Sequence, residues 1–363
     1  MKKILSISLL VLTAVILNGC SSTNTVMVYN PYEDVDWDSI QQSRASLHNH
    51  STYSDGSYEP HEVVDYYKEL GFNVLALTDH DRDTEPLIAY PWTEFSTFRD
   101  HYENRDPDAL NMISIPGVEY SHHHHLTALF TDYLPGRDYD EDDLINHVNS
   151  TEEGVIWFAH PGRYWSAFDE YEEGEKFSPE WYLNFFNDYP LESLLGIEIF
   201  SQRDRHEYDR VLWDTLLTET MPERPIFGFG VDDFHGSYAG YSFNDHLVYD
   251  LMDKAEFRES LIKGQFFAVS RIEQDAAVPT IEKIIVDEEN KTIEIIASGY
   301  DRIHWVSGIT DDGYHSNIVG EGNVFDYSNF DLSYVRAEVI AGREGSAFLR
   351  QTHTQPFGFI QED

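Results

Sequence analysis

Ser46-Leu47-His48-Asn49-His50-Ser51-Thr52-Tyr53-Ser54-Asp55-Gly56 ends a short strand in two imidazoles and a turn carboxylate. Residues two apart on a strand point to the same side, so His48 and His50 can reach one ion. Pro60 to Leu70 then reads as a helix, with Pro in its first turn and Gly71 as its stop. The next strand, Val74 to Thr78, runs into Asp79-His80-Asp81, and His80 stands 32 residues after His48. That spacing is about one βα repeat. In a parallel barrel, equivalent points one repeat apart sit side by side at the C-terminal rim, where such folds build their sites. His48, His50, Asp55 and His80 can therefore converge.

Later strand ends continue the series. Gly117-Val118-Glu119 follows Ile113–Val118, and His160-Pro161-Gly162-Arg163 follows Val155–Ala159. Asp232-Asp233-Phe234-His235 follows Ile226–Gly230. Further strands are expected at Leu126–Phe130, Gly196–Phe200 and Gln265–Val269, and helices at 141–149, 179–187, 207–218 and 255–263. This alternation argues for a parallel α/β barrel or open sheet between about 44 and 275. From about 280 the helical period disappears. Ile281–Val286, Thr292–Ala297, Ile303–Val306, Tyr334–Ile340 and Ala347–Arg350 read as strands of a small β domain, residues 276–363.

Composition narrows the function. The chain has 363 residues, 41% of them hydrophobic, and 24 Lys plus Arg against 66 acids give a formal charge of −42. Such a surface repels nucleic acid and anionic membrane. With one cysteine, Cys20, the chain has neither an internal disulfide nor a thiolate zinc knuckle. Any metal site must use His, Asp and Glu.

Lys2 and Lys3 precede an apolar run from Ile4 to Leu17, a length typical of a signal segment and short for a membrane span. Leu17-Asn18-Gly19-Cys20 resembles a bacterial lipobox. The resemblance implies a signal peptide over 1–20, a lipid on Cys20, and export to a membrane-anchored position. Ser21 after the cysteine favours the outer membrane or periplasmic face. Residues 21–43 read as a polar tether.

In order and spacing, Leu47-His48-Asn49-His50, Leu77-Thr78-Asp79-His80-Asp81, Gly117-Val118-Glu119, Ala159-His160-Pro161 and Asp232-Asp233-Phe234-His235 resemble the PHP (polymerase and histidinol phosphatase) phosphoesterase domain over residues 44–240. The resemblance implies a distorted (β/α)7 barrel carrying two or three divalent ions, zinc, manganese or iron. One ion would be held by His48, His50, Glu119 and Asp233. A second would share Glu119 and use His160, with His125 completing its shell. A third would be held by Asp55, His80 and His235. Two departures stand out: Asp232 and Phe234 replace the usual Ser and Ala of the last motif, and His122 to His125 form a four-histidine run.

The implied activity is hydrolysis of a small phosphate mono- or diester through a metal-bridging hydroxide. Arg163 is the candidate phosphate clamp, with Arg203 and Arg205 behind it, and His235 or Asp233 would protonate the leaving group. One alternative is a metal-dependent ester or carbamate hydrolase of the same superfamily. The other is a non-catalytic metal-binding surface protein. The expected partner is a small-molecule ester, with no nucleic acid and no membrane contact except through Cys20.

Overall fold

The computed structural model describes residues 24–362 other than 83–86, 136–138, 152 and 344–348. Cys20 and the signal segment lie outside the described residues, as does part of the strand expected at Ala347–Arg350.

The elements follow the sequence closely where its periodicity is clear. They are β1 (Asn24–Tyr29), β2 (Gln41–Ser46), α1 (Pro60–Glu69), β3 (Val74–Leu77), α2 (Phe95–Phe98), α3 (Pro107–Leu110), β4 (Ile113–Tyr120), β5 (Leu126–Leu129), α4 (Glu141–Ser150), β6 (Val155–Phe158), α5 (Pro179–Asp188), β7 (Gly196–Phe200), α6 (Asp209–Thr220) and β8 (Phe227–Gly230). After them come β9 (Ser242–Val248), α7 (Lys254–Lys263), β10 (Phe266–Arg271), β11 (Thr280–Asp287), β12 (Thr292–Ser298), β13 (Arg302–Ile309), β14 (Ser316–Glu321), β15 (Val324–Asp326), β16 (Tyr334–Ala341), β17 (Arg350–His353) and β18 (Phe357–Glu362).

The long sheet runs β1-β18-β16-β17-β10-β9-β2-β3-β4-β5-β6-β7-β8. It is mixed rather than parallel throughout. β2, β3 and β4 pair in parallel, as do β6, β7 and β8, but β5 is antiparallel to both its neighbours. The reason is local: only Ser121–His125 separate β4 from β5, and so short a link can make a hairpin but not a crossover. At the far end, no backbone ladder joins β8 to β9 among the described residues. The Asn244 side chain does the joining, its Oδ1 accepting from Gly230 N and its Nδ2 donating to Gly230 O, both at 2.9 Å. The carboxamide of a β9 residue thus stands in for a peptide group, and β8 comes back against the strand next to β2.

Inside this run, Ala45, Leu47, Val74, Ala76, Ile115, Trp157 and Phe229 form one buried cluster. Its apolar burial fixes the strand registers, since a one-residue slip would turn each strand inside out. Outside, α4, α5 and α6 pack Leu144, Ile145, Tyr182, Phe186, Leu212 and Leu216 against β5 to β7.

Two expectations change. Residues 24–29, placed in a tether, form β1 and pair antiparallel with β18, with Asn24 opposite Glu362. Their Thr-Val-Met-Val-Tyr sequence suits a strand; the acidic character of the segment comes from residues beyond Tyr29. The boundary at 275/276 does not separate two sheets, because β17 pairs with both β10 and β16 and carries the long sheet across it. β11, β12 and β15 form a separate three-stranded sheet. α6 is tied to β16 by a buried pair, Arg336 donating to both oxygens of Asp214 at 2.8 and 2.7 Å. β9 has no strand signal in the sequence, because Asn244, Asp245 and His246 interrupt its apolar residues although every one of its positions is buried.

Candidate metal centre

His48 and His50 lie just past the end of β2, and the residue between them holds both in place. Asn49 N donates to Thr78 Oγ1 (3.0 Å), its Nδ2 donates to Ala76 O (2.9 Å), and its Oδ1 accepts from Ser46 Oγ (3.0 Å). With Asn49 fixed on β3, the two imidazoles must project to the other side together. Asp79, next in the motif to His80, takes no place among the candidate ligands. Its carboxylate accepts from Ser51 N, Ser51 Oγ and Ser54 Oγ at 2.7–2.8 Å, which shapes the turn that presents Asp55. Gly56 is required there, since a Cβ would sit 2.5 Å from the His50 carbonyl oxygen.

Glu119, at the end of β4, is fully buried and central. Its Oε1 lies 2.7 Å from His125 Nδ1 and 2.9 Å from His160 Nε2. Its Oε2 lies 3.2 Å from Nε2 of both His48 and His50, and 2.9 Å from His80 Nδ1. The β4–β5 hairpin explains His125: the chain turns at Ser121–His125 and brings that imidazole back beside Glu119. Asp233 Oδ1 is 3.1 Å from His50 Nε2 and 3.5 Å from His48 Nε2. His235 Nδ1 is 2.9 Å from the Asp233 carbonyl oxygen, which leaves Nε2 facing Asp55 Oδ1 at 3.2 Å.

The electrostatics are those of a cage for positive charge. Burial alone would raise the Glu119 carboxyl, but His48, His80 and His125 outweigh it and hold it well below the usual range. Asp233 is likewise lowered against its burial, chiefly by His48 and His50. His80 answers in the opposite sense, pushed up to about 9, against burial, by Glu119 and Asp55, whereas burial lowers His125 although Glu119 opposes it.

The nine donors fall into three overlapping groups: His48, Glu119, His160 and Asp233; His50, Asp55, His80 and His235; and His80, Glu119 and His125. These donors fit divalent ions. Glu119 Oε2 is buried, ringed by three imidazole nitrogens and without a hydrogen-bond partner, a state a cation would relieve. All nine sequence-identified ligand candidates are brought together. The grouping differs in that His50 joins Asp55, His80 and His235, while His160 joins His48 and Asp233; His50 Nε2 nonetheless remains within 3.2 Å of Glu119.

Arg163 is exposed on the short turn Pro161–Arg163, and its side chain forms no hydrogen bond or ion pair with described residues. Arg203 stacks over Tyr238 and Tyr241, and Arg205 donates to Gln202 Oε1 at 3.0 Å. Among the described residues, Arg82 is the Lys or Arg paired with a candidate ligand, its Nη2 3.0 Å from Asp55 Oδ2; the sequence reading passed over it. Within the histidine run, His124 is buried and bonded to Tyr182 Oη at 2.7 Å, a packing role.

Sequence reasoning also missed Glu198 on β7. Its Oε1 lies 2.8 Å from His48 Nδ1, and its Oε2 accepts from His160 N at 2.8 Å. The available signal was a single carboxylate inside the apolar strand Gly-Ile-Glu-Ile-Phe. Asp232, the unusual residue of the last motif, is an anchor: it accepts from Tyr67 Oη (2.7 Å), Tyr241 N (2.9 Å) and Ser242 N (2.8 Å). Burial pushes its carboxyl up to about 6. Phe234 packs among Tyr58, Tyr66 and Tyr67.

Residues 46–219 match the family model of the PHP domain. The PHP match spans seven of the nine donors and stops before Asp233 and His235, which the fold supplies. No curated protein matches the chain. Among solved structures, the chain is similar to a two-domain protein of Bacteroides vulgatus containing a predicted PHP-like metal-dependent phosphoesterase, at 14% identity and a TM-score of 0.49 over 90% of this chain and 96% of that one. A second similar structure, a metal-dependent phosphoesterase by name from Bifidobacterium adolescentis, has 15% identity and a TM-score of 0.38 over 61% of this chain and 96% of its own. An amidohydrolase from Chromobacterium violaceum with bound sulfate and no metal has 16% identity and a TM-score of 0.35 over 53% and 87%.

Proposed function

We propose that this protein is a metal-dependent phosphoesterase that hydrolyses a small phosphate mono- or diester. The observation that carries the reading is Glu119, with both carboxylate oxygens set among five imidazole nitrogens and one of them unpartnered. The PHP match over residues 46–219 supports it. The nine donors named above are the proposed ligands, and the run β2 to β8, brought back to β9 through Asn244, is read as the distorted barrel. Bound divalent ions acidify water and draw electron density from an ester's oxygens.

The chain's own residues do the rest. His48, Glu119 and His160 are buried and set the floor of the site, while Asp55 and His235 lie at its open edge. Substrate therefore approaches from the Asp55–His235 side, where Arg82 stands. Asp233 is held ionised and buried, which makes it a poor acid. His235 is only partly buried, and its pKa is raised: burial opposes, but the hydrogen bond to Asp55 and the Asp233 charge prevail. Where no ion takes its Nε2, His235 is the group placed to hand a proton to the leaving oxygen.

The second reading, hydrolysis of a neutral ester or carbamate, is favoured by one observation. The Tyr164 ring lies 5.8 Å from His125 and 6.4 Å from His160, an aromatic wall beside the donors, while Arg163 points to solvent. Export, with a lipid on Cys20 as the only membrane contact, completes the proposal, and a small ester rather than nucleic acid is the partner consistent with the charge of −42.

The deciding test compares nitrophenol release from a phosphate monoester, a phosphate diester and a carboxylate ester, with manganese or zinc present and after chelation. Chelator-sensitive turnover of a phosphate ester is expected. Turnover of the carboxylate ester alone would move the protein to the second reading.

A further inference from the structure

One residue past β7, three consecutive residues take left-handed backbone angles: Gln202, Arg203 and Asp204 have φ of +49°, +62° and +59°. None is glycine, the residue that adopts such angles without steric cost. Strain of this kind persists only where the surroundings impose it, and it gathers at functional sites. Here the restraints are visible. Arg210 grips the Asp204 carboxylate with both terminal nitrogens, at 2.5 and 3.1 Å. The Arg203 guanidinium lies 4.8 Å from the Tyr238 ring and 5.0 Å from that of Tyr241. Arg205 N donates to Ser201 O at 3.0 Å, closing the turn.

What this turn delivers is the Gln202 side chain. Its Nε2 donates to Asp233 Oδ2 at 2.6 Å. Its Oε1 accepts from Arg205 Nη1 at 3.0 Å, which fixes which end of the amide faces Asp233. The two Asp233 oxygens are thereby divided. Oδ2 takes the Gln202 hydrogen bond, with His160 Nε2 farther off at 3.8 Å, and Oδ1 is turned to His50, His48 and His235 at 3.1, 3.5 and 3.5 Å. A carboxylate tied by one oxygen cannot rotate out of the donor group, and its residue, itself at φ +48°, needs that restraint.

We propose that Gln202 is a positioning residue for Asp233, and that the left-handed turn Gln202–Asp204 serves to hold its amide there. The inference rests on the metal-centre reading above and deepens it. Partners that orient a metal-binding side chain are commonly worth tenfold or more in affinity.

The test is titration of manganese(II) into the metal-stripped full chain, with the melting temperature of the metal-free protein measured in parallel. Gln202→Gly relieves the backbone at φ +49° while removing the amide. Its metal-free melting temperature should stay level or rise while manganese(II) affinity falls about tenfold or more. Gln202→Leu, which keeps the side-chain bulk, should lose affinity to a similar extent. Wild-type affinity in both variants would overturn the positioning role alone. A parallel fall of melting temperature and affinity in both would reduce Gln202 to a structural residue. Absence of manganese(II) binding by the wild type would overturn the metal-centre reading, and this inference with it.

Discussion

Glu198 Oε1 lies 2.8 Å from His48 Nδ1, and both side chains are completely buried. The carboxylate accepts a hydrogen bond from Nδ1–H, which keeps the ring proton on Nδ1 and leaves Nε2, the nitrogen beside Glu119, free to bind an ion. Glu198→Gln cannot reproduce this. If its oxygen accepts from His160 N, its amide donates to His48 Nδ1 and forces the proton onto Nε2. We expect metal retention after dialysis to fall about 10- to 100-fold, with the metal-free circular dichroism unchanged. Retention equal to wild type would remove Glu198 from the site.

Removing a donor has a simpler consequence. His48→Ala and Glu119→Ala should each lower metal content and reduce turnover by at least about 100-fold while leaving the fold in place, because the two apolar clusters that hold Leu47 and Val118 include neither side chain. Metal analysis, circular dichroism and the ester assay together check this. An active His48→Ala protein with unchanged metal content would sink the assignment.

The Arg336–Asp214 pair is buried on both sides and joins β16 to α6. Arg336→Met leaves the Asp214 charge without its main partner, and a loss of about 3–5 kcal/mol is expected in chemical unfolding. Asp214→Leu combined with Arg336→Met should recover part of that loss, since the Asp214 charge is then no longer orphaned, while Glu338, 2.8 Å from Arg336 Nη1, still loses its cation. Because the pair spans the expected domain boundary, both segments should unfold in one transition.

His246 on β9 is fully buried, and burial lowers its pKa from 6.5 to about 3. His353 on β17 is also lowered to about 3, by burial with Arg336 adding to it and Glu338 opposing. The unfolded chain binds protons at these groups near pH 6.5, where the native state does not. Their neutral burial is therefore without penalty above about pH 6.5, and stability is lost as pH falls from there toward about 3. Each group contributes a slope of about 1.4 kcal/mol per pH unit inside that window. Urea midpoints at pH 7.5 and 5.5 should differ in the wild type and differ less in His246→Leu.

Much of the fold was legible because its local signals agree. Helices such as Glu141–Ser150 and Lys254–Lys263 appear within a residue or so of their expected positions. Their capping residues, Asp140 and Asp253, sit immediately before the apolar pattern. The misses share a cause. β9 buries polar residues that other parts of the chain satisfy, so its seven positions carry no alternation. β1 has no partner near it in sequence; its register is set by β18, more than 300 residues away.

The sequence alone determined the nine candidate donors and their order, because most of them follow the end of a strand and that placement is a local property of the chain. Tertiary structure decided how the donors share ions, which carboxylate orients His48, and which residue restrains Asp233. Those contacts join residues 150 apart for His48 and Glu198, and 31 apart for Gln202 and Asp233, across a left-handed turn. No pattern within a window of sequence encodes them. They exist only once burial of the strands has fixed where each chain end must lie.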